Sequence, residues 1–508
     1  MLVMFVLYLV ALRIAIRLKS HPDIGKWILW FGLGFRLVLL PSHPILEIDI
    51  YRYMWDGRVV AECENPFQYS PRDVLASSTE TGDIRLRSLV KLRDRSIVTQ
   101  TVLSRIHFEH LTTIYPPVSQ LVFAAAATVV PESTSLWTQR LMTKLFIVSF
   151  DVLTMLAMMR LLKHFRKPPG WLVCYAWSPL VLKEFANSGH LDAIAIGLTA
   201  WAIVWWIEAL RSKSMGRLLL AAATLGLAVG AKLYPIVIVP VIAISIIRHV
   251  GVRQMATAGI VFGIMATVCL RPMLFADPVD VLQTNSDIAF VAARKDAIAP
   301  EPGTSPPLPD DYAEVVQSDY GTLEVVPPTP LAENFESNKP TGSGLTAFLG
   351  TWRMNDLLFM VIHENLRPDS NAWFSIVPDA AKRGMIQPLV VPLSLAELQT
   401  AFLVARCATA GLHLAIVAYL MATAWQASVK QLLDLAFLSV AWFWLLLPTL
   451  DLGHATTAVH KAKMLAVAIG MRVRLLPSLL AGDQFRQPNR GGNELRRSGF
   501  LCLCGCLV

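Results

Sequence analysis

The chain has 508 residues, 54% of them hydrophobic and 16% charged, with a formal net charge of +8 and a mean hydropathy of +0.50. So little charge on so long a chain excludes a water-soluble globular enzyme and points to an all-α polytopic membrane protein. Lys and Arg fall in short clusters between apolar runs, so the positive charge reads as membrane topology, and no nucleic acid is expected as a partner. Seven cysteines have neither disulfide-framework nor zinc spacing: Cys63, Cys174, Cys269 and Cys407 are scattered, and Cys502, Cys504 and Cys506 crowd the end.

Residues 1–18 are apolar from the start and lack a basic leader or a small-residue cleavage site, so they read as a membrane helix. Further apolar runs lie at about 27–41, 140–162, 170–184, 191–210, 216–231, 233–247, 255–271, 396–424 and 431–447. The run at 116–130 is bracketed by prolines and reads as a short span or as a half-helix that enters and leaves by one face. Arg17, Lys19 and Lys26, then Lys163, Arg166 and Lys167, then Arg211, Lys213 and Arg217, then Arg248, Arg253 and Lys430 share one side only if 116–130 does not cross. In that arrangement the loop beginning near Asp49, the Asn187 to Asp192 turn, the Lys232 turn and the segment 272–395 converge on the opposite, exterior side.

Residues 83–105 mix apolar and basic side chains at helical spacing. They are expected to form a helix lying in the interface, which binds anionic headgroups or serves as a track for a lipid-linked phosphate. Residues 297–340 are rich in Pro, Asp and Glu and are expected to be a loose or disordered loop, after which Trp352 to Asp356 opens a return to the membrane surface.

The densest polar cluster is Asp49-Ile50-Tyr51-Arg52-Tyr53-Met54-Trp55-Asp56-Gly57-Arg58, directly after the second apolar run. Charge gathered at a membrane boundary marks a substrate path, or else an interfacial belt in which the aromatics sit at headgroup level. A carboxylate beside apolar surface suits acid–base work on a hydroxyl. Asp49 and Asp56, about two turns apart, are the candidates, with Arg52 between them to neutralise one or to bind phosphate. His190 and Asp192 start a span, where they either bind sugar hydroxyls or a divalent ion or belong to a helix cap formed with Asn187 or Ser188. Lys232, at a helix end beside Tyr234 and Pro235, is either a phosphate ligand or a snorkelling lysine. Tyr115, before Pro116 and Pro117, shapes an acceptor groove or begins a helix. Within the apolar runs, Arg36 and Asp151 are a structural charge pair or, in a transporter, gate residues.

The ordered motifs from Tyr51 to Val59, Glu64 to Pro71, Ile114 to Gln120, Trp177 to Ala193, Ala231 to Pro235 and Trp352 to Asp356 resemble the GT-C superfamily of integral-membrane glycosyltransferases, in its bacterial mannosyltransferase-like branch. The resemblance runs from about Asp49 to Thr449. It implies a GT-C-like multi-helix transmembrane bundle with exterior loops and interfacial helices, spanning residues 1–450, with 42–115 as the first exterior catalytic loop. It further implies a multi-pass protein of a bacterial plasma membrane, moving a hexose, with mannose chosen by analogy, from a polyprenyl-phosphate carrier to a lipid- or glycan-type acceptor on the non-cytoplasmic face, with inversion. The usual base is an acid of the first exterior loop, which by position is Asp49, with Asp56 second. Substrate contacts are expected from Arg52, Tyr51, Trp55, Tyr115, His190, Asp192, Lys232 and Tyr234; a divalent metal is used by some members. After Thr449 the chain departs from the pattern, and residues 451–508 read as a basic, frame-shifted or degenerate tail. That tail keeps a catalytically inactive homologue open, and Arg36, Lys144 and Asp151 within apolar runs keep a transporter or lipid flippase open, although no two halves of the chain match.

Overall fold

The computed structural model describes residues 2–18, 21, 23–45, 49–276, 278–279 and 358–446. The expected loose loop at 297–340, the Trp352 to Asp356 motif and the tail at 451–508 lie outside the described residues. Within them the chain is all-α and has no strand. Five helices are long and apolar enough to cross a membrane: Leu136–His164 (α8), Asp192–Ser212 (α9), Val252–Leu274 (α12), Glu397–Gln426 (α15) and Val429–Leu446 (α16). Leu2–Arg17 (α1), Ile24–Leu39 (α2), Met215–Ala231 (α10) and Val239–His249 (α11) are shorter apolar helices beside them. A polar layer is built from Ile50–Ala61 (α3), Pro71–Ala76 (α4), Ile84–Asp94 (α5), Ile97–Ser104 (α6) and Pro117–Val129 (α7). Leu358–Glu364 (α13) and Asp379–Leu393 (α14) pack on α15. Ser70, Asp83, Ser96, Ser135 and Ser214 each accept a first-turn amide and so start α4, α5, α6, α8 and α10.

The register of the helices separates two ends of the bundle. α8 and α9 run in the same direction, with Gly197 against the Phe150 carbonyl, Trp201 Nε1 donating to Leu153 O at 3.0 Å and Arg160 pairing with Glu208 at 2.6 Å. α10 and α12 also run together, since Gly226 lies against Met265 and Gly230 against Cys269. Lys163, Arg166, Arg211, Lys213, Arg217 and Arg253 therefore gather at one end. The starts of α9 and α3 and the end of α10 lie at the other. α7 begins against Gly230, through Val118, and finishes where Arg58 donates to the carbonyls of Ala127 and Val130, both at 2.6 Å, beside the first turn of α8. Both of its ends thus lie away from the basic clusters. Its 13 residues span about 20 Å, short of a hydrocarbon core of about 30 Å.

Two expectations change. Residues 170–184 do not form one span: Pro168, Pro169 and Pro179 break them into a 3₁₀ turn at Pro169–Leu172, short helical turns and a π-helix at Leu182–Asn187. Nor is 83–105 one helix: it divides into α5 and α6. Leu86, Leu89, Val90 and Leu92 pack into the core, while Arg93 donates to the carbonyls of Val74, Leu75 and Ser77, Arg87 to Thr81 O, and Arg95 pairs with Glu62 and Glu132. These three arginines brace the polar layer, and Arg85 and Lys91 stay exposed.

The broken span stays inside the bundle because side chains supply what its backbone lacks. Arg36, fully buried, donates to Ala176 O at 2.8 Å and to Gly32 O at 2.9 Å, and forks onto Asp151 at 2.6 and 3.1 Å. Tyr175 donates to the same carboxylate at 2.6 Å, and Tyr8 reaches Cys174 O at 3.2 Å. Arg36 and Asp151 are thus a saturated structural pair, and the gate role they would have in a transporter has no support here. Removing one partner strands a buried charge, so Arg36→Met or Asp151→Leu alone is expected to destabilise the protein by roughly 3–5 kcal/mol. The double substitution is expected to recover most of that loss, as read by thermal unfolding in detergent; additive losses would show the two residues to be uncoupled.

Candidate functional site

α3 begins at Asp49, an N-cap whose side chain makes no capping bond to its own helix. That is unusual for aspartate in this position. The half-buried carboxylate instead accepts the Tyr115 hydroxyl at 2.6 Å, across the gap to the loop before α7. Tyr115 is held in turn by an edge contact with Tyr53 at 5.1 Å between ring centroids, and Tyr53 stacks on Phe123 at 4.6 Å. The two helices approach closely at Gly57, where an added Cβ would lie 2.6 Å from Phe123 O. Pro117 at the first position of α7 explains the double proline as a helix start, and Tyr115 is placed by it.

Four of the expected site residues face inward. Asp56 is buried and pairs with Arg52 at 3.2 Å, while Gln120 Nε2 lies 3.1 Å from the carboxylate, 3.1 Å from Thr113 Oγ1 and 3.2 Å from Tyr115 O. Burial pushes the Asp56 carboxyl above its ordinary value, against the opposing pull of Arg52 and of hydrogen bonds from Thr113 and Gln120. Arg52 also donates to Leu111 O at 2.8 Å, so its guanidinium is turned into the polar layer and away from the position expected of a phosphate ligand. Tyr51 and Trp55 are core residues, with Arg105 bonded to the Tyr51 hydroxyl at 3.1 Å. The charges of this helix alternate between an inward pair and the outward Asp49. Spacing along the sequence does not reveal that difference.

The second half of the site lies at the same end. Ser119, on the first turn of α7, donates to Ala231 O at 2.8 Å, which joins the Tyr115 loop to the end of α10. The next residue, Lys232, is extended and partly exposed, and its ammonium lies 2.6 Å from Asp192 Oδ1. His190 Nδ1 lies 2.7 Å from the other oxygen, Asp192 Oδ2. One carboxylate therefore holds both a lysine and a histidine in place. Tyr234 is buried against Trp444 at 5.4 Å between centroids and supports the turn.

The cap expected of Asn187 or Ser188 is not formed: the N-cap position is Leu191, and the first amide of α9, that of Asp192, donates to His190 Nδ1 at 3.4 Å. At the end of the π-helix, Asn187 instead donates to Ser42 Oγ at 2.8 Å and His43 O at 2.7 Å, and accepts Ile45 N–H at 2.8 Å. Ser188 donates to Ile45 O at 3.3 Å. Gly189 has φ +69° and an added Cβ would lie 2.8 Å from Lys144 Cγ, with Ile50 also near. A side chain would be both strained and obstructed there. The Asn-Ser-Gly-His-Leu-Asp turn thus pins residues 42–45, which lead to Asp49, and in the same six residues presents Asp192 to Lys232. The bracing roles of Asn187, Gly189, Ser119 and Gln120 were missed; the only signal for them was that each sits inside a motif of polar residues bordering an apolar run.

Among the described residues no three His, Cys, Asp or Glu side chains gather as metal ligands would, and Asp192 is already engaged by Lys232 and His190. The described residues of the site do not fit a divalent ion.

Residues 1–248 match the family model described as alpha-(1->6)-mannopyranosyltransferase, N-terminal domain, a stretch that contains every candidate from Asp49 to Tyr234. No curated protein and no solved structure matches the chain. This similarity, over just under half of the chain, supports a mannosyltransferase-like membrane protein of GT-C type.

Proposed function

We propose that this protein transfers mannose from a polyprenyl-phosphate carrier to a hydroxyl of a lipid- or glycan-type acceptor, by a single displacement with inversion and on the non-cytoplasmic face. The observation that carries this reading is the placement of Asp49, held by Tyr115, and Lys232, held by Asp192, at one end of the bundle and joined through Ser119 and Ala231. The opposite end collects the basic turns, which in a membrane favours the cytoplasmic side for them and the exterior for the site.

The chemistry follows from the two groups. The acceptor hydroxyl passes its proton to Asp49 as its oxygen attacks the anomeric carbon. The bond from that carbon to the phosphate oxygen breaks, and the electron pair leaves with the phosphate. The departing phosphate gains negative charge, and the Lys232 ammonium is the group placed to stabilise it. Asp192 aims that ammonium, and His190 braces Asp192 from the other side. An alpha-linked product formed with a single inversion requires a donor sugar in beta linkage.

Membranes carrying the protein are expected to move labelled mannose from beta-linked polyprenyl-phosphate mannose, and not from the alpha anomer or from a nucleotide-linked mannose. Transfer from the nucleotide sugar would remove the lipid carrier from the reading. Asp49→Asn is expected to lower turnover by roughly 10² to 10⁴ at unchanged expression, and a variant as active as wild type would exclude Asp49 as the base.

Lys232→Gln is expected to lower kcat by roughly 10² to 10³, with Lys232→Arg partly active; equal loss in both would point to a packing role. Asn187→Ala leaves the catalytic groups intact but frees residues 42–45, and a displacement of about 1 Å is expected to lower kcat roughly 10²-fold. Unaltered kinetics in that variant would show that the brace does not control the position of Asp49.

A further inference from the structure

Of the charges that lie within apolar runs, Lys144 of α8 has no part in the pair made by Arg36 and Asp151. It is fully buried, and among the described residues no carboxylate lies within ion-pair distance of it. Its ammonium instead donates to Ser42 O at 2.8 Å and lies 3.5 Å from Leu39 O. Leu39 is the last residue of α2, so these are carbonyls of the kind a helix leaves open where it ends, and a cation suits that end.

This lysine reaches both halves of the candidate site. Ser42 is held at two polar groups: Lys144 takes its carbonyl and Asn187 its hydroxyl, which in turn donates to Leu39 O. From Ser42 the chain leads on to Asp49 at the start of α3. The stem of the lysine meets the other half, since a Cβ added to Gly189 would lie 2.8 Å from Lys144 Cγ and 3.5 Å from Ile50 Cδ1. Gly189 leads directly to His190 and Asp192, and Ile50 directly follows Asp49. Lys144 thus touches the segments that carry both reactive groups, at a point separate from the Ser119 bond to Ala231. We propose that Lys144 is a positioning residue for the transfer reaction, one that fixes the separation of Asp49 from the Asp192–Lys232 pair without touching substrate; the inference rests on the roles proposed above for Asp49 and Lys232. Methionine has nearly the same length and would keep the packing against Gly189, yet it would release Ser42 O. Because no acid faces Lys144 among the described residues, that change strands no opposite charge.

The test uses the purified full-length protein in detergent. Lys144→Met is expected to lower kcat for mannose transfer roughly 10²-fold, as a misplacement of about 1 Å does, with KM for the carrier and the midpoint of thermal unfolding unchanged. Lys144→Arg, which keeps the charge and the donors, is expected to recover a good part of the loss. Because Lys144 and Asn187 both act through Ser42, the losses in kcat are expected to fall short of adding when Lys144→Met is combined with Asn187→Ala. A second readout needs no activity: alkylation of Asp49→Cys by a water-soluble maleimide, followed on its own peptide by mass spectrometry, is expected to run roughly tenfold faster once Lys144→Met is added. Unchanged kcat and unchanged alkylation in Lys144→Met would overturn the inference. So would fully additive losses with Asn187→Ala, or a fall in kcat matched by a fall in thermal stability, which would make the lysine a packing group alone. A wild-type protein that moves no mannose would instead sink the transfer reading, and the alkylation rates would still decide whether Lys144 places Asp49.

Discussion

The bond between Arg36 and Asp151 is the constraint from which the rest of the site follows. A span broken by prolines leaves carbonyls without amide partners, and in a bundle surrounded by lipid no water is at hand to replace them. Arg36 satisfies one such carbonyl and is itself neutralised by Asp151, which Tyr175 of the broken segment also grips. With that stretch held, the π-helix at Leu182–Asn187 turns Asn187 toward residues 42–45, and Gly189 lets the chain reverse against Lys144. Asp49 and Asp192 thus depend on one irregular segment, which ends five residues before Asp192. A regular helix in its place would satisfy its own backbone and leave no side chain to reach the loop.

The site also separates the work of its charged groups. Arg52 and Asp56 neutralise each other inside the polar layer, so α3 can begin with a carboxylate whose partner is a neutral phenol. Lys232 is paired, yet its partner is shared with His190 and its side chain keeps contact with solvent, which leaves the ammonium room to turn in the reaction proposed above. The Arg52–Asp56 pair gives shape, and the partly exposed Lys232 is left for the proposed reaction. Both are drawn from the same residue types within a short reach of the membrane boundary.

Much of this was legible from the chain. Charges inside apolar runs singled out Arg36 and Asp151, with Lys144, because a charge in hydrocarbon needs a partner. The clustering of Lys and Arg anticipated which turns share an end, and the prolines around 116–130 anticipated the bounds of the short helix there. Composition could not show the direction of a side chain. Arg52 and Asp56 have the spacing of a reactive pair, but they turn inward because Gln120 and Thr113, more than fifty residues away, complete a buried network around them. Hydropathy also counted 170–184 as a span, since the averaged index is blind to the missing amide of a proline.

Gly57 adds a mechanical consequence. Because no side chain separates α3 from the backbone of α7, the two helices bear on each other through main-chain atoms, which have no rotamers to sample. The gap between Asp49 and Tyr115 is then governed by rigid bodies and is insulated from side-chain disorder. Even a methyl group at that glycine would act as a wedge, prying the Asp49 carboxylate from the Tyr115 hydroxyl while both side chains stayed chemically intact.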